Sequence, residues 1–197
     1  MAASGDVIRR RYANVSLRVS NQPGTFADMT HDVDPTHIIG NLRRLDDKRG
    51  AVRMETVYDT DIGDLWSAVT EPDRLARWIA TVDGEARVGA TVQTQFTSSW
   101  AGPVRIDVCT APRHLVLTLD PDSDDEAVVE AFLTAEGDRT RLVVEDRGLP
   151  LDVLHLHGAG WQAHLEDLHR QVNGAEQSTW KARWEELTPA YQALAVQ

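Results

Sequence analysis

Cysteine is all but missing from this chain: Cys109 is the only one among 197 residues. A lone thiol excludes a disulfide framework and any multi-cysteine zinc or iron–sulfur centre. Long apolar runs are missing as well. None exceeds a few residues, whereas a helix that crosses a bilayer needs about 20. Positive charge is in short supply, since 20 Lys and Arg face 31 Asp and Glu for a net charge of −11. A duplex-binding module needs a basic face to displace counterions, so no nucleic-acid partner is expected. There is no Gly-x-Ser-x-Gly elbow and no phosphate-cradling glycine loop, which removes the commonest signals of serine hydrolases and nucleotide enzymes. What is present is ordinary globular composition, with 42% apolar and 26% charged residues. A chain of this length favours one domain that buries about 70% of its unfolded surface. A cytoplasmic protein is expected.

The first 28 residues differ from the rest. Arg9, Arg10, Arg11 and Arg18 outweigh Asp6 and Asp28, so this stretch carries +2 and the remainder −13 of the total −11. No apolar segment marks a signal peptide. Residues 1–28 are expected to be a disordered extension, and residues 29–197 one domain. Ile38 to Leu45 and Ala51 to Tyr58 flank the turn-rich Asp46-Asp47-Lys48-Arg49-Gly50 and suggest a hairpin. Asp34-Pro35 offers an alternative start, a short helix through Leu45. Ile62, Leu65, Trp66 and Val69 then fall at helical spacing, with Thr60 or Asp61 as N-cap. A second helix is expected with Thr70 as cap, Pro72 in its first turn and a stripe of Leu75, Trp78 and Ile79.

A strand meander follows. Val92-Thr94-Phe96, Val104-Ile106-Val108, Leu115-Leu117-Leu119 and Ala127-Val129-Ala131-Leu133 all alternate, and Leu142 to Val144 close the series. Ala101-Gly102-Pro103, Ala111-Pro112-Arg113, Asp120-Pro121-Asp122 and Glu136-Gly137-Asp138 are the expected breaks. After Pro150 the period becomes helical. His157, Trp161, His164, Leu165 and Leu168 mark one stripe through about Val172, and Asn173-Gly174 looks like a C-cap. A last helix is expected from about Glu176, with Trp180, Trp184 and Leu187 on one face, until Pro189 kinks or ends it. This order implies an α+β helix-grip fold, in which a curved antiparallel sheet wraps a long C-terminal helix. A ligand would sit between the two.

The segment Val57-Tyr58-Asp59-Thr60-Asp61-Ile62, continuing through Leu65-Trp66-Ser67-Ala68-Val69-Thr70-Glu71-Pro72-Asp73-Arg74-Leu75-Ala76-Arg77-Trp78, resembles the "VWxALTdPexlxxW" signature of the SRPBCC (START / Bet v 1-like) superfamily. The subfamily it is most similar to is named for the activator of heat-shock-protein-90 ATPase. Val88-Gly89-Ala90 fits that family's glycine turn, and Leu142 to Glu145 with Gly160-Trp161 and His164 to Leu168 fits its closing strand and cavity helix. The resemblance spans roughly residues 50–173. It implies the helix-grip fold and a small hydrophobic or amphipathic molecule as partner. Superfamily members include lipid carriers and polyketide cyclases as well as dioxygenase subunits; the Cys/His cluster of a Rieske centre is absent here.

Candidate site residues come from the aromatic and histidine pattern. Trp78, Phe96, Trp100, His157, Trp161 and His164 are the expected cavity lining, because rigid rings supply apolar area at small entropic cost. His157 and His164, seven apart on one helical face, suit a polar contact or an acid–base pair. For catalysis, Glu166 or Asp107 would assist them. His155 and His169 lie off that face. No metal and no cofactor is expected. The run Asp120 to Glu126 lacks Gly and Glu at the sixth and twelfth places of a calcium loop and reads as a hairpin turn. Cys109 is expected to be a half-buried structural thiol. Trp180 and Trp184 are expected to dock the last helix to the domain or to a second copy in a homodimer. Three readings stay open: a small-molecule binder, a cyclase, aromatase or hydrolase with a His base, and a chaperone-partner or regulatory protein.

Overall fold

The computed structural model describes residues 37–197. The expected extension over residues 1–28, and the expected start of the folded domain at residue 29, lie outside the described residues. Strands β1 (Gly40–Arg44) and β2 (Arg49–Tyr58) form the hairpin. The Asp46 carboxylate closes its turn by accepting the Lys48 and Arg49 N–H groups at 2.7 and 2.8 Å. Helix α1 (Ile62–Thr70) and the single turn α2 (Pro72–Leu75) then carry the chain to β3 (Ala80–Asp83). From there β4 (Thr91–Phe96), β5 (Ala101–Thr110), β6 (His114–Leu119), β7 (Ala127–Glu136) and β8 (Arg139–Pro150) meander back. The sheet order is β1-β2-β8-β7-β6-β5-β4-β3, antiparallel throughout. A 3-10 turn, Leu151–Val153, leads into the long helix α3 (Leu154–Val172), and α4 (Trp180–Gln192) follows. This is the α+β helix-grip architecture.

Alternation decides what the sheet offers to α3. Val52, Met54 and Tyr58 of β2, Leu142 and Val144 of β8, and Val129, Ala131 and Leu133 of β7 turn inward and are buried. They meet Leu154, Leu165 and Leu168 of α3. Burying each such side chain is worth about 1.5–3 kcal/mol. Tyr58 also donates its hydroxyl to the Leu165 carbonyl at 3.1 Å, tying the middle of α3 to the sheet. Burial, reinforced by the Glu166 charge, raises the Tyr58 phenol far above its ordinary pKa. The outer face is a lattice of ion pairs, Arg43 with Glu145 and Arg147 with Glu130 at 2.8 Å each and Arg141 with Glu55 at 2.7 Å, to which His114 adds a hydrogen bond with Glu130 at 2.8 Å.

The fourth helix packs on α3 through its indoles. Trp180 Nε1 donates to the Gly160 carbonyl at 3.3 Å and Trp184 Nε1 to that of Leu156 at 3.0 Å. Close approach requires Gly158, where an added Cβ would lie 2.4 Å from Tyr191 Cδ1. Behind it the Tyr191 hydroxyl donates to Gln162 Oε1 at 2.7 Å in a buried setting.

Several local expectations need correction. Thr70 does not cap the second helix: it ends α1, donates its hydroxyl to the Trp66 carbonyl, and leaves Glu71 as the N-cap residue. That second helix stops at Leu75, so Trp78 and Ile79 lie in the turn beyond it. The α1 cap is Asp61, accepting from Gly63 and Asp64 N–H. Ala101-Gly102-Pro103 is not a break but the start of β5; the chain reverses at 97–100, with Ser99 at φ 71°. Proline is tolerated there because the Pro103 carbonyl, and with it the side that lacks an N–H, faces Asp120 beyond the end of β6. The short edge strand β3 had no alternating signal to announce it. Helix α4 begins at Trp180 rather than Glu176, since Asp167 holds the preceding connector by accepting the Ser178 N–H and hydroxyl at 3.1 and 2.7 Å. Pro189 sits within α4, which continues to Gln192. Cys109 is exposed, not half-buried.

Candidate ligand-binding site

Between the β4–β5 turn and the two C-terminal helices lies a cavity of about 50 Å³. One wall is Phe96, Ser98 and Trp100 of the turn region; the other is His157, Trp161 and His164 of α3 with Trp180 of α4. Leu119 and Asp146 lie on the sheet side. Gly102 lets Trp100 fold inward over β5, because a Cβ there would stand 2.7 Å from Trp100 Cζ2. The Trp100 ring meets Phe96 edge-on with centroids 5.0 Å apart. His164 is the hub of the aromatic lining: it stacks on Trp180 at 5.2 Å and meets Phe96 and Trp161 edge-on at 6.2 and 6.4 Å.

Two polar centres interrupt these rings. The first is His164, whose Nδ1 donates to the Trp78 carbonyl at 3.4 Å. Burial lowers its pKa to about 3, the Trp78 carbonyl only partly opposing the shift. The imidazole is therefore neutral at physiological pH, with Nε2 as its acceptor nitrogen. The second is Asp146, only 4% exposed and set among apolar neighbours. Its β-partners on either side are Val52 and Val129. Asp146 Oδ2 accepts from Trp161 Nε1 at 2.9 Å and from the His157 ring at 3.3 Å, while Oδ1 has no hydrogen-bond partner among the described residues. A buried carboxylate is retained only at a cost unless hydrogen bonds or counter-charge offset desolvation.

Five of the six residues expected in the lining thus converge: Phe96, Trp100, His157, Trp161 and His164. Trp78 does not join them. With α2 ended at Leu75, its ring is carried into the core, where Nε1 donates to the Ala68 carbonyl at 3.0 Å. Only its backbone oxygen reaches His164. Glu166 and Asp107, considered as partners for the histidines, are engaged elsewhere: Glu166 pairs with Arg183 at 2.7 Å, and Asp107 with Arg105 at 2.6 Å on the sheet's other face. Sequence reasoning missed Asp146 and Trp180. Asp146 had a legible signal, because it continues the inward series Leu142, Val144 by two residues and is the one charged member of that series. Among the described residues, no three His, Cys, Asp or Glu side chains are placed to hold a metal ion, and no helix is long and apolar enough to cross a membrane.

A curved antiparallel sheet gripping one long helix, with two short helices inserted after its second strand, defines a helix-grip protein of the SRPBCC superfamily. Within that class the chain belongs to the family described as Activator of Hsp90 ATPase homolog 1-like protein, whose profile matches residues 59–173. Among solved structures it is similar to CalU16 from Micromonospora echinospora, at 26% identity and TM-score 0.64 over 79% of this chain and 96% of that one. It shares a fold with DynU16, a protein of the dynemicin biosynthetic locus, at 23% identity and TM-score 0.59 over 64% of this chain and 48% of that one. A protein encoded by gene BPP1335 of Bordetella parapertussis shares the fold at 21% identity and TM-score 0.63, covering 83% and 95%. No curated protein matches the chain.

Proposed function

We propose that this protein binds a small amphipathic molecule in the slot between the β4–β5 turn and α3, with Phe96, Trp100, His157, Trp161 and His164 as contacts. The observation that carries the proposal is a buried carboxylate, Asp146, on the lining of a cavity walled mainly by aromatic rings. Recognition sites combine apolar walls with a few placed polar groups in this way. Size restricts the reading. A volume of about 50 Å³ holds a few waters or a compact group, well short of the roughly 300–1,000 Å³ of pockets that enclose drug-sized ligands. The bound portion is thus one ring or head group, with the rest of the ligand leaving past the half-buried Trp100 and Trp161. Titrating a panel of monocyclic and bicyclic aromatics and short amphiphiles, with tryptophan fluorescence as readout, tests this. Saturable quenching that is lost in Trp161→Ala supports it; no saturable binding across the panel refutes it.

A second reading is acid–base catalysis on the bound molecule. It is favoured by the hydrogen bond between Asp146 and the His157 ring, which would orient that imidazole. His164 is a poor base, being held neutral by burial. Turnover of any bound substrate should then fail in His157→Gln with binding retained, and unchanged turnover would exclude it.

A further inference from the structure

We infer that the polar end of the ligand is a small organic cation, an alkylammonium head group held by the Asp146 carboxylate within a cage of Trp100, Trp161 and Trp180. The inference rests on the ligand-binding reading above and specifies its chemistry. Among the described residues, neither lysine nor arginine lines the cavity, and Asp146 is the one acidic side chain there. Among the described residues, Asp146 meets no Lys or Arg side chain at ion-pair distance; the His157 ring hydrogen-bonds to it at 3.3 Å. One of its oxygens is buried without a donor. The other takes the Trp161 N–H, which places an indole edge against the carboxylate. Trp180 and Trp100 bring further rings to the same space. Aromatic faces attract cations most strongly where water is excluded, and quaternary ammonium groups are the usual guests of such cages. His164, uncharged among these rings, adds no competing positive charge. The small volume agrees with a head group rather than a whole lipid.

The test compares phenethyltrimethylammonium with its uncharged isostere, in which carbon replaces the ammonium nitrogen, by calorimetric titration of the full chain. The cation should bind at least about tenfold tighter, the scale of a desolvated cation–π contact. Asp146→Asn, checked for native folding by circular dichroism, should abolish that preference. The comparison within the unmodified protein stands even if the variant fails to fold. Equal affinity for the two compounds overturns the cation assignment and leaves the ligand-binding reading intact. A preference that survives in folded Asp146→Asn overturns the role of the carboxylate. Failure of both compounds, together with failure of the neutral aromatic panel, overturns both proposals.

Discussion

Replacing Trp161 by Phe removes the stronger of the two hydrogen bonds that hold the buried Asp146 carboxylate. A hydrogen bond to a charged group contributes about 1.5–3 kcal/mol, and its loss strands an acceptor that water cannot easily reach. Trp161→Phe should therefore destabilise the fold by that amount, and each kcal/mol lowers Tm by about 2–4 °C for a chain of this size. The smaller ring also leaves a void, which a double-mutant cycle with Asp146→Leu separates from the bond itself. Asp146→Leu alone strands the Trp161 N–H. The pair Trp161→Phe with Asp146→Leu leaves neither an orphaned indole donor nor a buried carboxylate, so its cost should fall below the sum of the single changes. Urea unfolding of all four proteins should give a coupling energy of about 1.5–3 kcal/mol. A coupling below about 0.5 kcal/mol, the range within which independent sites add, would show that the indole does not hold the carboxylate.

Other expectations follow from the same geometry. Gly158→Ala drives a methyl into the Tyr191 ring, 2.4 Å away before relaxation, and should cost about 1–3 kcal/mol in thermal or urea unfolding; a neutral outcome would mean that α4 shifts freely on α3. His164 has a folded pKa below its unfolded one, so its contribution to stability is complete above about pH 6.5 and is lost as pH falls toward its folded value of about 3. Stability curves should show a slope approaching about 1.4 kcal/mol per pH unit from this residue in that window, and His164→Leu should flatten it; NMR should find the imidazole neutral at pH 6. Arg147→Ala, which breaks a partly exposed pair with Glu130 on the sheet's outer face, should cost no more than about 1 kcal/mol and less at high salt. A larger loss would mean that the outer lattice acts as a cooperative network.

Local pattern carried much of this fold. Alternation over β4, β6 and β7 named the inward residues correctly, because a strand presents alternate side chains to one face wherever it pairs. The His157–Trp161–His164–Leu168 stripe did the same for α3. Pattern failed where a tertiary neighbour set the outcome. Pro103 reads as a break in isolation, yet it lies within β5 because no partner needs its missing N–H. Glu176 looks like a helix start, yet Asp167, nine residues earlier, holds Ser178 and delays the helix to Trp180. Trp78 was placed in the lining on the premise of a longer helix, and one turn fewer sent its ring to Ala68 instead.

The order of periods along the chain, two for strands and 3.6 for helices, by itself determined the helix-grip architecture, and the stretch from Val57 to Trp78 already carried the family resemblance. These are local properties, set by which residues share a face within a few positions. How much space remains under α3, and which polar groups border it, only the tertiary structure decided. Volume depends on how Trp100, Trp161 and Trp180, distant in sequence, fill one gap. The setting of Asp146 depends on Val52 and Val129 flanking it from two other strands, and on an indole arriving from α3 to meet it.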